Sequence, residues 1–89
     1  MNKTEEAFKL IWDELKRAEK EFPGWPRDIV HGAAIVQEEC GELVKACLDF
    51  YYGRGNIGTV LEETVQTGAM VYRFLFHLED YRRGRRSGK

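Results

Sequence analysis

Apolar positions recur at helical spacing in three stretches, separated by two short runs rich in proline, glycine and asparagine. The first stretch carries Phe8, Ile11, Trp12, Leu15, Ala18 and Phe22 on one face, with Lys9, Asp13, Lys16, Arg17 and Lys20 opposite, which predicts an amphipathic helix of about five turns. Asn2 with Glu5, or Thr4, supplies its cap, and Phe22-Pro23-Gly24-Trp25-Pro26 stops it, because proline lacks a donor and biases the residue before it away from helical angles. A second helix is predicted from Arg27 or Asp28 to about Tyr52, with Ile29, Ala33, Val36, Cys40, Leu43, Val44, Cys47 and Tyr51 as its buried side. Gly41 within it costs about 1 kcal/mol of helix propensity, which points to close approach of a neighbouring backbone or ligand.

Gly53-Arg54-Gly55-Asn56 turns the chain, and Thr59 then forms a capping box with Glu62 at the start of a third helix running to about Tyr81. Two stripes run down that helix. Leu61, Val65, Gly68, Tyr72 and Leu75, with Ala69 and Phe76 beside them, are expected in the core; Glu63, Gln66, Met70, Arg73 and His77 are expected to line a site. The fold expected is all-α: three main antiparallel helices in one domain over residues 1–81, the bundle completed by homo-oligomerisation, followed by a basic flexible tail over residues 82–89. An 89-residue chain buries a modest core, which is the reason to expect a second copy as homodimer or homotetramer.

Composition narrows the class of function. At 43% hydrophobic and 33% charged, the chain is too apolar to be disordered and too charged to span a membrane. The net charge of −1 is unevenly spread. Glu38, Glu39, Glu42, Asp49, Glu62 and Glu63 face only Lys45 and Arg54 in the same segment, whereas Arg82 to Lys89 holds bases and no acid. Nucleic-acid binding through that tail is disfavoured, since no structured basic surface accompanies it. Cys40 and Cys47 lie about 10.5 Å apart along one helix, too far for a mutual disulfide, and suit small core positions in a reducing compartment. With no signal-peptide pattern and no long apolar run, a cytoplasmic location is expected.

The chemistry concentrates in Glu38-Glu39-Cys40-Gly41-Glu42. Glu39 and Glu42 fall on one helical face, and like charges so spaced weaken an isolated helix, so a bridging cation accounts for them better than helix stability does. A solvated acidic patch is the plain alternative. Short connections let the second and third helices face each other across Glu39, Glu42, Glu63 and Gln66. Hard oxygen donors with no converging cysteine or histidine suit Mg²⁺ or Mn²⁺ and argue against zinc; His31 lies too far along the helix to join them. Glu38 is placed to orient or deprotonate a water, and Lys45 and Arg73 to offset phosphate charge. Trp25 is expected either to pack over the helix junction or to stack on a base, and Asn56 is a further candidate for substrate contact.

With Glu63 and Gln66 downstream, this stretch resembles the Glu-Glu-x-x-Glu … Glu-x-x-Asp signature of the MazG-like all-α nucleotide pyrophosphohydrolases, over roughly residues 29–78. The resemblance implies Mg²⁺-dependent cleavage of a (deoxy)nucleoside triphosphate to monophosphate and pyrophosphate, on a bundle completed by dimerisation or tetramerisation. It implies Glu39, Glu42, Glu63 and the residue at Gln66 as metal ligands. Gln66 departs from the pattern, which has aspartate there; an amide ligates through its carbonyl oxygen without contributing charge. The alternative reading is a helical oligomer of the same fold that binds nucleotides with weak turnover or none.

Overall fold

The computed structural model describes residues 1–86. It is built of α1 (Lys3–Glu21), α2 (Ile29–Tyr51), α3 (Ile57–Phe76) and α4 (Leu78–Arg86), with no strand among the described residues. Asn2 caps α1 through a reciprocal box, its side chain accepting from the Glu5 N–H and its own N–H donating to the Glu5 carboxylate, both at 2.9 Å. Phe22 closes α1 by donating its N–H to the Ala18 carbonyl, directly before Pro23. Asp28 caps α2 by accepting from the His31 N–H at 2.8 Å. Gly53, at φ +77°, turns the chain between α2 and α3.

Two boundaries differ from expectation. Asn56, in extended conformation, caps α3 by accepting from the Thr59 N–H at 3.0 Å, so the helix starts at Ile57 and the expected Thr59–Glu62 box does not form. The third helix ends at His77, whose N–H is shared between the Arg73 and Phe74 carbonyls, and α4 follows at once. Residues 82–86, expected in a flexible tail, belong to α4, where Arg82 pairs with Glu79; the rest of that stretch, 87–89, lies outside the described residues.

The central helix is α3, with α2 against one flank and α1 against the other. Thr67 meets Glu39 while Phe74 meets Gly32, so α2 and α3 are antiparallel. Contacts from Ile11 to Gly68 and from Phe22 to Arg73 ascend on both elements, so α1 runs in broadly the same sense as α3. A Cβ on Gly68 would stand 2.9 Å from Ile11 Cδ1, so glycine sets how closely α1 approaches. Gly41 has nothing within 4 Å of where its Cβ would be, and the close approach expected there is not made.

The result is a shallow trough with α3 as floor. Its radius of gyration is 15.2 Å, against about 12 Å for a compact chain of this length. The buried apolar residues are Leu15, Ala18, Ala46, Ala69 and Tyr81, mostly small. The α3 stripe expected in the core is largely uncovered: Leu61, Tyr72, Leu75 and Phe76 are exposed, Leu75 at 61%, while Val65 and Gly68 are half-buried. Of the stripe expected to line a site, Gln66, Met70 and Arg73 face the inside of the chain's own trough, and Glu63 and His77 are half-buried. The same holds on the flanking helices, where Phe8, Trp12, Phe22, Ile29, Ala33, Val44, Cys47 and Tyr51 are exposed rather than packed. Two flanking helices cover two sides of α3, and the chain has too little mass to cover the third.

Candidate functional site

The trough holds a cleft of about 430 Å³ between α1 and α2. Glu38, Glu39 and Ile35 line it from α2, Gln66, Met70 and Arg73 from α3, Glu14, Arg17 and Ala18 from α1, and Phe22, Gly24 and Trp25 from the connection. A second depression of about 450 Å³ lies along Lys3, Thr4, Ala7, Phe8 and Ile11; no carboxylate lines it, and no set of polar groups converges there.

The acidic end of the cleft is fixed by helix packing. Thr67 on α3 donates its hydroxyl to its own-helix Glu63 carbonyl at 2.7 Å and lies 3.2 Å from the Glu39 carbonyl on α2. That shared hydroxyl brings the two helices together at the level of Glu39 and Glu63. One carboxylate oxygen of Glu63, Oε1, is buried without a hydrogen-bond partner. The Glu39 carboxyl is held above its usual range, first by burial and then by the charges of Glu63, Glu42, Glu38 and Glu14. Burial and neighbouring like charge both make the ionised form of Glu39 costly.

Of the residues singled out from the sequence, Glu38, Glu39, Gln66, Arg73 and Trp25 meet in this cleft. Glu63 stands beside them, and Glu42, exposed on α2, is near enough to act on Glu39. Lys45 and Asn56 do not line it. Lys45 is exposed and reaches Asp49 at 3.6 Å, and the Asn56 side chain is committed to the α3 cap, accepting from the N–H and hydroxyl of Thr59. Arg54 also turns to Asp49, at 3.4 Å, which leaves Asp49 paired rather than directed at the acids.

Arg73, 5% exposed, is an internal strut. Its Nη2 donates to the carbonyls of Phe22 at 2.8 Å and Gly24 at 3.1 Å, and its guanidinium lies 5.0 Å from the Trp25 ring centroid. Trp25 packs over the helix junction: it stacks on His77 with centroids 5.8 Å apart and donates its indole N–H to the Tyr81 hydroxyl, which in turn donates to the Pro26 carbonyl. The α1–α2 connection is thereby clamped as the end wall of the cleft.

Glu14 and Arg17 were missed by sequence reasoning, which placed Arg17 on the outer face of α1. The signal was present. Glu14 sits among Ile11, Leu15 and Ala18 at three- and four-residue spacing, an acid in the inward stripe, and its side chain is only 14% exposed.

The donor types fit a hard divalent cation: the carboxylates of Glu39 and Glu63 on facing helices, with Glu63 Oε1 buried and unpartnered, and the amide of Gln66, which lines the cleft. As the side chains stand, no group of three or more His, Cys, Asp or Glu among the described residues is drawn together closely enough to hold a metal ion. In comparisons with known proteins, no family model, no curated protein and no solved structure matches the chain.

Proposed function

We propose that the chain is a divalent-cation-dependent nucleotide pyrophosphohydrolase of the MazG-like kind, acting on a (deoxy)nucleoside triphosphate. The observation that carries this reading is the meeting of Glu39 and Glu63 across α2 and α3, with Glu63 Oε1 buried and unpartnered. Glu39, Glu63 and the Gln66 carbonyl would hold Mg²⁺ or Mn²⁺, with Glu42 adding charge from the next turn. A cation held there would supply charge neutralisation on the phosphates and a bound water of lowered pKa. Glu38, exposed at the cleft, accepts the proton of the water that opens the α–β anhydride, leaving monophosphate and pyrophosphate.

Pyrophosphate release from a panel of nucleotides with Mg²⁺ or Mn²⁺ tests the reading. Turnover that disappears in Glu39→Gln supports it; no turnover with any nucleotide, or equal turnover in the variant, overturns it. A second reading is favoured by Gln66, which lines the cleft where an aspartate would complete the acidic set: a nucleotide-binding oligomer without turnover. Activity that arises only in Gln66→Asp selects that second reading.

A second copy of the chain is the proposed partner, as homodimer or homotetramer. Helix geometry gathers Leu61, Val71 and Leu75 of α3, Phe8 and Trp12 of α1 and Val44 and Tyr51 of α2 away from the cleft, all of them exposed. No helix among the described residues is long and apolar enough to cross a membrane. The two free thiols, Cys40 and Cys47, suit a reducing setting such as the cytoplasm.

A further inference from the structure

We infer that Arg17, on the α1 wall, is the residue that grips the phosphate chain of the nucleotide, with Glu14 as the group that positions it. This rests on the proposed nucleotide chemistry and assigns a substrate contact that the spacing of the acids does not reveal.

Among the described residues, two cations line the cleft, Arg17 and Arg73. Arg73 is buried and spends Nη2 on two backbone carbonyls and its π-face on Trp25, so moving it toward a ligand would unseat the connection. Lys45 and Arg54 are outside the cleft on Asp49. Arg17 differs from all three. It is half-exposed, and its guanidinium is aimed by Glu14, which accepts from Nε at 3.0 Å and from Nη2 at 2.6 Å. Its remaining contact, from Nη1 to Glu21 at 3.1 Å, is to a carboxylate that is itself 56% exposed.

Surface pairs one helical turn apart contribute little, and a phosphate accepts bidentate guanidinium bonds that are stronger. Arg17 can therefore surrender Glu21 to a phosphate while Glu14 keeps the fork in place. Across the cleft stand Glu38 and Glu39, where the cation would sit. The walls then divide the substrate between them: α2 and α3 take the ion, α1 takes the anion that accompanies it.

The test is calorimetric binding of a non-hydrolysable α,β-methylene nucleoside triphosphate in Mg²⁺, together with steady-state pyrophosphate release, for wild type, Arg17→Gln and Arg54→Gln. Expected is a weakening of about tenfold or more in Arg17→Gln, with KM rising by a similar factor, kcat little changed, and Mn²⁺ affinity in the absence of nucleotide retained. Arg54→Gln, which removes the same charge outside the cleft, should bind as wild type does. Wild-type binding matched by Arg17→Gln overturns the assignment and leaves the nucleotide reading standing. Equal loss in both variants also overturns it, since net charge and not position would then govern binding. Wild type that binds no nucleotide overturns both.

Discussion

Glu39 is the residue on which most of the electrostatics converges. Its carboxyl is held above the ordinary value of 4.5, so ionising it is harder in the folded chain than in the unfolded one. The resulting destabilisation is absent below about pH 4.5, grows as pH rises toward the elevated folded value, and is complete above it. Without divalent cations, Glu39→Gln should therefore raise the melting temperature at pH 7 by a few degrees, and the gain should vanish near pH 4; a gain equal at both values would mean that charge is not its source. With saturating Mg²⁺ the order should reverse, because wild type gains a ligand that the variant holds less well. Glu39 was legible in the sequence because it shares a helical face with Glu42, where like charges weaken the helix that carries them, and Glu63 because it falls on one stripe of the third helix with Gln66. Glu14 was less legible. It lies in a run of charges, Asp13 to Arg17 with Leu15 between, where an inward acid resembles its solvated neighbours until the opposite wall is known.

At the scale of elements, caps and one strut decide the geometry. The expected cap of α3 is Thr59, and the structure places the cap three residues earlier, at Asn56, whose extended backbone after the glycine turn lets its side chain accept from the Thr59 N–H. Asn56→Ala should cost about 1 kcal/mol, and Thr59→Ala far less, in urea unfolding; the opposite ranking would restore the cap at Thr59. Arg73 belongs to the same scale, because what it supports is the connection. Arg73→Met leaves the Phe22 and Gly24 carbonyls without their donor and should cost about 2–4 kcal/mol, with a change in Trp25 fluorescence at the site of damage. Unchanged stability and an unchanged spectrum would mean that the connection holds itself. That Trp25 packs rather than projects was one of two openings its sequence context allowed, and Tyr81, far away in sequence, closes it.

For the whole molecule, periodicity revealed that the helices carry apolar stripes but not which stripe the chain itself would cover. On α3 Gln66, Met70 and Arg73 turned inward with Ala69, while Leu61, Tyr72, Leu75 and Phe76 stayed out, because α1 and α2 flank the helix and leave its back bare. An acidic cleft on one side and exposed apolar side chains on the back of α3 leave a surface that the proposed second copy would cover. Leu75→Glu should lower the mass seen by sedimentation velocity to that of a single chain, whereas an unaltered assembly would place the interface elsewhere. The central claim remains the sharing of one cation by acids of α2 and α3. Calorimetric titration of Mn²⁺ into wild type, Glu39→Gln, Glu63→Gln and Glu62→Gln tests it most directly. Binding in wild type that weakens about tenfold or more in the Glu39 and Glu63 variants, and holds in the variant of exposed Glu62, is the predicted result. No Mn²⁺ binding in wild type, or binding indifferent to Glu39 and Glu63, would contradict it.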